Sequence, residues 1–289
     1  MRKRPYGWYG GKYRIVNKIK FLIPEHSVYN EPFMGAASVG LNHARSKIEI
    51  FNDKDSEVAC FMRTLADREQ GKILVEKLCN LTFGKEVFDN ALENEKRNFK
   101  GLDDIEKSVM VYILITQSFD CKRKNFSEKL YKDARAYQKR IRKNIPRVYE
   151  RLRDVRVLNM DGIDLLSEIK DDVDTFAFVD PPYRLELRAK NAGKAYKCEL
   201  SHEDQVKLLE TIRHAKCKIM LCGYKSENGE DLYDRYLLPY GWKCYKLAEL
   251  TKTCQIKEKK DKGKEYIWVN YELPEQAKYA ISMKTHSTL

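Results

Sequence analysis

Val28-Tyr29-Asn30-Glu31-Pro32-Phe33-Met34-Gly35-Ala36-Ala37-Ser38, followed by Ile48-Glu49-Ile50-Phe51-Asn52-Asp53, decides the fold of this 289-residue chain. Val28 to Phe33 reads as a strand, Gly35 to Arg45 as a loop opening a helix, and Ile48 to Phe51 as a second strand closed by Asn52-Asp53. Together they make a βαβ unit. Upstream, a glycine-rich basic segment, Tyr6 to Lys12, leads into a predicted helix carrying Ile15, Ile19 and Leu22 before Pro24. Downstream, short apolar strands are predicted at Val155–Met160, Thr175–Val179 and Lys218–Gly223. Ser201-His202-Glu203-Asp204 resembles a capping box ahead of Val206, Leu209 and Ile212. Trp242–Leu250 and Glu265–Tyr271 suggest a closing antiparallel pair around a lysine-rich loop. Short apolar strands separated by helices at both ends of the chain imply an α/β fold, a doubly wound Rossmann-like sheet.

Between Asp55 and about Ile145 no strand pattern recurs, and Pro146 suits the first turn of a further helix running to about Arg153. The expected organisation is therefore a discontinuous sheet domain, 1–58 and 146–274, around an inserted and mainly helical domain, 59–145. Residues 275–289 read as a frayed tail.

Composition narrows the class. With 43% hydrophobic residues, 55 Lys+Arg and 43 Asp+Glu, the chain has apolar material for one large or two smaller cores. Its longest apolar run, Val109 to Ile115, is seven residues, far below the roughly 18 needed to cross a bilayer. Met-Arg-Lys-Arg before Pro5 is not a signal core. A soluble protein without a membrane partner is expected. Eight cysteines include no C-x-x-C pair, so they read as reduced thiols and no metal site is expected. From Lys122 to Arg156, fourteen Lys/Arg face four Asp/Glu, a local excess of ten positive charges. Such a one-sign field suits a polyanion, whose counterions the cations displace. Tyr131, Ala134, Tyr137 and Ile141 read as the core-facing stripe of the same stretch.

Three segments carry chemistry. Asp180-Pro181-Pro182-Tyr183 follows the buried strand Thr175–Val179. Each proline fixes its own φ and keeps its predecessor extended, so the Asp180 carboxylate and the Pro181 carbonyl are held outward at the carboxyl edge of the sheet. Two acceptors beside an aromatic ring suit a planar heterocycle bearing an exocyclic amine, with Tyr183 stacking on it. Second, the small residues at Gly35 to Ser38 let a ligand approach the backbone. Asp53, 18 residues beyond Gly35, stands near the spacing at which an acid meets ribose hydroxyls in nucleotide-binding folds. Third, in Trp8-Tyr9-Gly10-Gly11-Lys12, Lys12 can meet a carboxylate while Trp8 packs on a ligand.

In content and order these segments resemble the amino-methyltransferases of DNA, most closely the Dam-like (D12) class acting on adenine N6. That family runs W-x-G-G-K, then E-P-F-x-G-x-G-S, an N-D pair, D-P-P-Y, and a late strand like Glu265-Tyr266-Ile267-Trp268-Val269-Asn270. The resemblance spans roughly 6–58 and 146–271 and implies S-adenosylmethionine as the donor. It places Trp8, Gly11, Lys12, Glu31, Pro32, Phe33, Gly35, Ala36, Ser38, Asp53, Asp161 and Asp180 around the cofactor. Asp180, Pro181, Pro182 and Tyr183 become the catalytic motif. It also implies double-stranded DNA as partner, a target-recognition domain in the middle, a cytoplasmic location in a prokaryote or phage infection, and a restriction endonuclease as an optional companion. Ala37 departs from the family's second glycine and is expected to narrow the cofactor's methionine end. Cys222-Gly223-Tyr224 replaces the family's Ser-Asn pair.

On this reading Asp180 and the Pro181 carbonyl accept both N6 hydrogens, freeing the lone pair to attack the donor's methyl group. The base must leave the duplex. Lys122, Arg123, Lys124 and Asn125 are expected to meet base edges and phosphates, and Lys139, Arg140, Arg142 and Lys143 to clamp phosphates. Two alternatives stay open: another acceptor (cytosine N4, an RNA base or a protein amide), or a catalytically dead DNA-binding fold. Enzymes of the family that act on RNA or protein amides usually carry Asn before the two prolines, unlike Asp180.

Overall fold

Thr175–Val179 is buried at every position, and a strand covered on both faces belongs inside a parallel sheet with helices on each side. In the computed structural model it does. Described are residues 2–128, 134–188, 195–226, 230–251, 262–275, 277 and 281. Five parallel strands, β1 (Val28–Glu31), β2 (Ile48–Asn52), β3 (Arg156–Leu158), β4 (Thr175–Val179) and β5 (Lys218–Tyr224), are extended by an antiparallel pair, β6 (Lys243–Thr251) and β7 (Lys262–Val269). The order is β3-β2-β1-β4-β5-β7-β6. It reverses direction between β1 and β4, and ligands of open α/β sheets bind at such a switch point. This is the expected doubly wound, Rossmann-like sheet.

Helices α1 (Val16–Ile19), α2 (Ser56–Ala66), α3 (Arg68–Cys79), α4 (Lys85–Lys96), α5 (Asp104–Gln117), α6 (Ala134–Leu152), α7 (Gly162–Ile169), α8 (His202–Ile212) and α9 (Leu232–Leu237) complete the described elements. Their starts are chemically marked. Asp55 caps α2 by accepting from Glu57 N and Val58 N, and Asp103 with Glu106 forms a capping box on α5. The box expected at Ser201 and Asp204 caps α8.

Two local expectations are corrected. Residues 35–42 form successive turns and 43–45 irregular chain, not a helix. Gly35 and Ala37 adopt left-handed φ of 47° and 46°, which a right-handed helix cannot contain. The turn is further fixed by the Glu31 carboxylate, which accepts from Gly40 N at 3.0 Å. Second, no new helix starts at Pro146. The proline sits inside α6, so the 145/146 boundary falls within one continuous helix. Tyr131, the lysine-rich loop at 252–261 and most of the tail lie outside the described residues.

The middle helices do not form a core of their own. Phe61, Leu65, Tyr112 and Ile115 from α2 and α5 belong to the same apolar cluster as Phe51, Phe176 and Phe178 of the sheet. Tyr137 and Ile141 of α6 join it, as their stripe predicts. A second cluster on the opposite side packs Ile163, Leu208 and Leu209 of α7 and α8 on Ala177, Ile219 and Leu221. Among the described residues no helix is long and apolar enough to cross a membrane, no group of three or more His, Cys, Asp or Glu is placed to hold a metal ion, and every cysteine is a free thiol.

Arg151, counted in the basic stretch, points inward from α6. Its guanidinium donates to both Glu49 oxygens at 2.6 Å and to the Gly40 carbonyl at 2.6 Å. Removing one member of a buried pair strands the other charge. Arg151→Ala is therefore expected to lower stability by about 3–5 kcal/mol in chemical denaturation; a change under about 1 kcal/mol would show that Glu49 finds water or another partner.

Candidate active site

At the carboxyl ends of β1 and β4 an open cleft is lined by Trp8, Gly11, Lys12, Glu31, Phe33, Gly35, Ala36, Ser38, Asp53, Asp161 and Asp180. These are the predicted cofactor residues with one exception. Pro32 is not on the wall; its carbonyl accepts from Asn52 Nδ2 at 2.9 Å. Asn52 also donates to the Met160 carbonyl at 3.0 Å and accepts from Met160 N at 3.0 Å. The amide that closes β2 thus ties together the loops leaving β1, β2 and β3.

Asp53 holds the glycine turn. Its carboxylate accepts from Gly35 N and Asp55 N, each at 2.9 Å. Burial pushes the Asp53 carboxyl up to about 6, against the pull of these amides. Gly35 lies against Trp8, and a Cβ there would stand 2.4 Å from the indole nitrogen. Ala37 occupies the left-handed position where the family has its second glycine. It is fully buried and not among the residues lining the cleft, so its methyl does not narrow the ligand space. Glu31 accepts from Tyr29 OH and Gly40 N at 3.0 Å, and burial raises it to about 8. Asp161 caps α7 through Ile163 N and pairs with Lys54 at 2.7 Å.

The Asp-Pro-Pro-Tyr turn is held from several sides. Lys12 Nζ contacts both Asp180 oxygens, at 2.7 and 2.9 Å, and donates to the Gly10 carbonyl at 3.0 Å. Burial disfavours its charge, but Asp180 and Glu265 hold Lys12 above the ordinary lysine range. Asp180 remains partly exposed and opens on the cleft. Gln205 of α8 donates to the Pro182 carbonyl at 2.8 Å, and Arg184 pairs with Asp231 and donates to the Tyr224 carbonyl. Pro182 lines the cleft, whereas Pro181 and Tyr183 are buried and do not. Tyr183 donates to Glu265 Oε2 at 2.7 Å, and its ring meets the Tyr224 edge and the Lys12 ammonium, each at 4.8 Å. The ring expected to stack on a base is thus enclosed. Glu265, 3% exposed, is pushed upward by burial, against the pull of Lys12 at 3.8 Å.

Residues that the motifs did not reveal complete the walls. Tyr196, Lys197, Cys198 and Leu200 lie on the cleft, with Tyr196 OH on the Tyr9 carbonyl at 3.1 Å and Lys197 paired with Glu57. No spacing rule marks them, because they belong to a loop and act through tertiary placement. An adjoining cavity joins Trp8, Tyr9 and Tyr196 to Lys122, Arg123, Lys124 and Lys197.

The expected DNA residues divide. Lys124, Asn125, Lys139, Arg140, Arg142 and Lys143 are exposed, and Lys122 is half-buried beside Tyr9. Arg123 is a correction: its guanidinium turns inward to Asp55 Oδ2 at 2.8 Å and Glu57 Oε2 at 2.6 Å, bracing the cap of α2, with 10% of the side chain exposed. Two carboxylates offered by one helix start outcompete water for a planar guanidinium.

The doubly wound sheet with a cleft at its switch point is a Rossmann-like methyltransferase fold. A sequence model of the D12 class N6 adenine-specific DNA methyltransferases matches residues 8–256, so the chain belongs to that family and is an adenine-specific DNA methyltransferase. It is 26% identical over 246 residues to the Type II methyltransferase M1.LlaDCHI of Lactococcus lactis subsp. cremoris, covering 80% of this chain and 84% of that protein. It is 23% identical over 220 residues to the modification methylase StsI of Streptococcus sanguinis, covering 72% of this chain and 32% of that longer protein.

Gly35 tests the cleft's construction. Gly35→Ala is expected to lower stability by about 1–2 kcal/mol through its left-handed backbone and to displace the Trp8 indole, seen as a lower denaturation midpoint and altered tryptophan emission. Wild-type values for both would show that the turn relaxes without strain.

Proposed function

We propose that the protein transfers a methyl group from S-adenosylmethionine to N6 of an adenine flipped out of a DNA site of defined sequence. The observation that carries this reading is Asp180, held at the switch point by two prolines and opening on the same cleft as Trp8, Asp53 and Asp161. The donor set suits that cofactor. Asp53 and Asp161 offer acceptors for hydroxyl and amine hydrogens, Trp8 and Phe33 offer apolar surface, and Glu31 with Lys12 offers opposite charges for an amino acid end. Asp53 keeps lone pairs beyond those used by Gly35 N and Asp55 N, since a carboxylate accepts about four hydrogen bonds. Bound there, the cofactor supplies a methyl group on a positively charged sulfur.

The chain's own contribution is placement and electrostatics. Asp180 accepts one amino hydrogen of the base from the cleft, and the carbonyl of buried Pro181 accepts the other as the base seats, which withdraws the nitrogen lone pair from the ring and turns it toward the methyl carbon. No covalent enzyme intermediate is required, consistent with cysteines whose thiols burial pushes up, as at Cys217 and Cys222. Because Tyr183 is enclosed, Tyr9 and Tyr196 of the adjoining cavity are the aromatic faces available to an extruded base. The exposed cations of α6 and Lys124, with half-buried Lys122 beside them in sequence, meet the duplex. Residues 59–145 carry target recognition, and 1–58 with 146–274 the chemistry. The setting is restriction and modification of cytoplasmic DNA, with a companion endonuclease optional.

Asp180→Ala is expected to abolish N6-methyladenine in digested DNA, read by mass spectrometry, with donor binding largely retained because Glu265 still accompanies Lys12. Full activity of that variant would defeat the assignment. Neutralising Lys139, Arg140, Arg142 and Lys143 together should weaken DNA binding and reduce the slope of log affinity against log salt by up to about four; an unchanged slope would place the duplex elsewhere.

A further inference from the structure

Both Asp180 oxygens are taken by the Lys12 ammonium, at 2.7 and 2.9 Å. The function proposed above requires that same carboxylate to accept an amino N–H; each oxygen keeps a lone pair for it, but an ammonium held on both oxygens draws off the negative charge that would polarise the amine, so the transfer is favoured when the ammonium moves off one oxygen. It cannot simply withdraw, because Lys12 is 2% exposed and a buried cation without an anion is strongly disfavoured. Among the described residues one further anion lies within ion-pair range. Glu265 Oε2 stands 3.8 Å from Lys12 Nζ, inside ion-pair range and beyond hydrogen-bond distance. The same oxygen is oriented by Tyr183 OH at 2.7 Å, and the Tyr183 ring centre lies 4.8 Å from the ammonium.

We propose that Glu265 is a positioning residue of the methyl transfer: the second anionic seat, onto which the Lys12 ammonium moves when the base's amino group engages Asp180. The proposal rests on the function above. A displacement of about 1 Å closes the gap to a charge-assisted hydrogen bond, and the lysine stem supplies it without moving the backbone. The cation then stays paired throughout, exchanging one carboxylate contact for another. Its fixed contact to the Gly10 carbonyl, at 3.0 Å, keeps the nitrogen in the same neighbourhood in both positions. The role demands the charge of Glu265. If the side chain served only to anchor the Tyr183 hydroxyl, a neutral amide oxygen would do as well.

Glu265→Gln keeps the shape and an acceptor for Tyr183 but removes the charge, and it is compared with Glu265→Asp, Lys12→Met and the double variant Lys12→Met/Glu265→Gln. The measurements are the turnover rate on unmodified genomic DNA at saturating S-adenosylmethionine, and the dissociation constant for S-adenosylmethionine by calorimetry. Expected are a fall in kcat of about tenfold or more for Glu265→Gln with donor affinity within about twofold, partial recovery in Glu265→Asp, and a double variant no slower than Lys12→Met. A kcat for Glu265→Gln within about twofold of wild type, or losses that multiply in the double variant, overturn the proposal. Should Glu265→Gln fail to fold, the double variant, which removes cation and anion together, decides by the same comparison with Lys12→Met. An active wild type with an unaffected Glu265→Gln defeats this proposal alone. No N6-methyladenine from the wild type, or full activity of Asp180→Ala, defeats the function and this proposal with it.

Discussion

One buried ammonium organises the cleft at the carboxyl ends of the central strands. Lys12 opens the 3-10 turn Lys12–Arg14 at the start of the chain, Asp180 follows the end of β4 and Glu265 lies on β7. Segments 168 and 253 positions downstream of Lys12 are brought to it, because a charge with 2% exposure requires anions close by. The glycine pair before Lys12 lets the chain turn sharply enough to deliver it. The two prolines after Asp180 keep the receiving carboxylate from collapsing into a helix.

The same logic recurs along the sheet edge. An acid follows or ends each of the first four strands: Glu31 on β1, Asp53 after β2, Asp161 after β3 and Asp180 after β4. Each is committed to a backbone amide or a lysine: Glu31 to Gly40 N, Asp53 to Gly35 N, Asp161 to Ile163 N and Asp180 to Lys12. These bonds shape the turns that form the cleft. They also set a row of acceptors in a chain of net charge +12, part of whose exposed positive charge lies on α6. Burial raises Glu31 and Asp53 well above ordinary carboxyls, whereas Lys54 and the Ile163 amide hold Asp161 lower against its partial burial.

Much of this was legible in the sequence. Strand runs such as Thr175–Val179 announce themselves by unbroken apolar content, and short motifs at strand ends mark the cleft because the backbone itself forces the geometry there. What stayed hidden depends on distant partners. Nothing around Arg123 distinguishes an inward guanidinium from an outward one until Asp55 and Glu57 are seen at the start of α2. Pro146 carries the signature of a helix start, yet α6 runs through it because Ile145, Val148 and Leu152 continue a buried stripe on both sides. Tyr183 was assigned to stacking from its neighbours in sequence, whereas Glu265 fixes its hydroxyl from 82 positions away.

The shared apolar cluster has a consequence for how such enzymes diversify. Phe61 and Tyr112 stack at 5.6 Å beneath Tyr6, whose hydroxyl reaches the Gly35 carbonyl at 3.3 Å. The helices between β2 and β3 are therefore not a cassette on a finished scaffold. A graft of them from a relative would have to bring its sheet-facing aromatics along, so sequence change is more easily accommodated at outward positions of these helices and loops than by exchange of the whole segment.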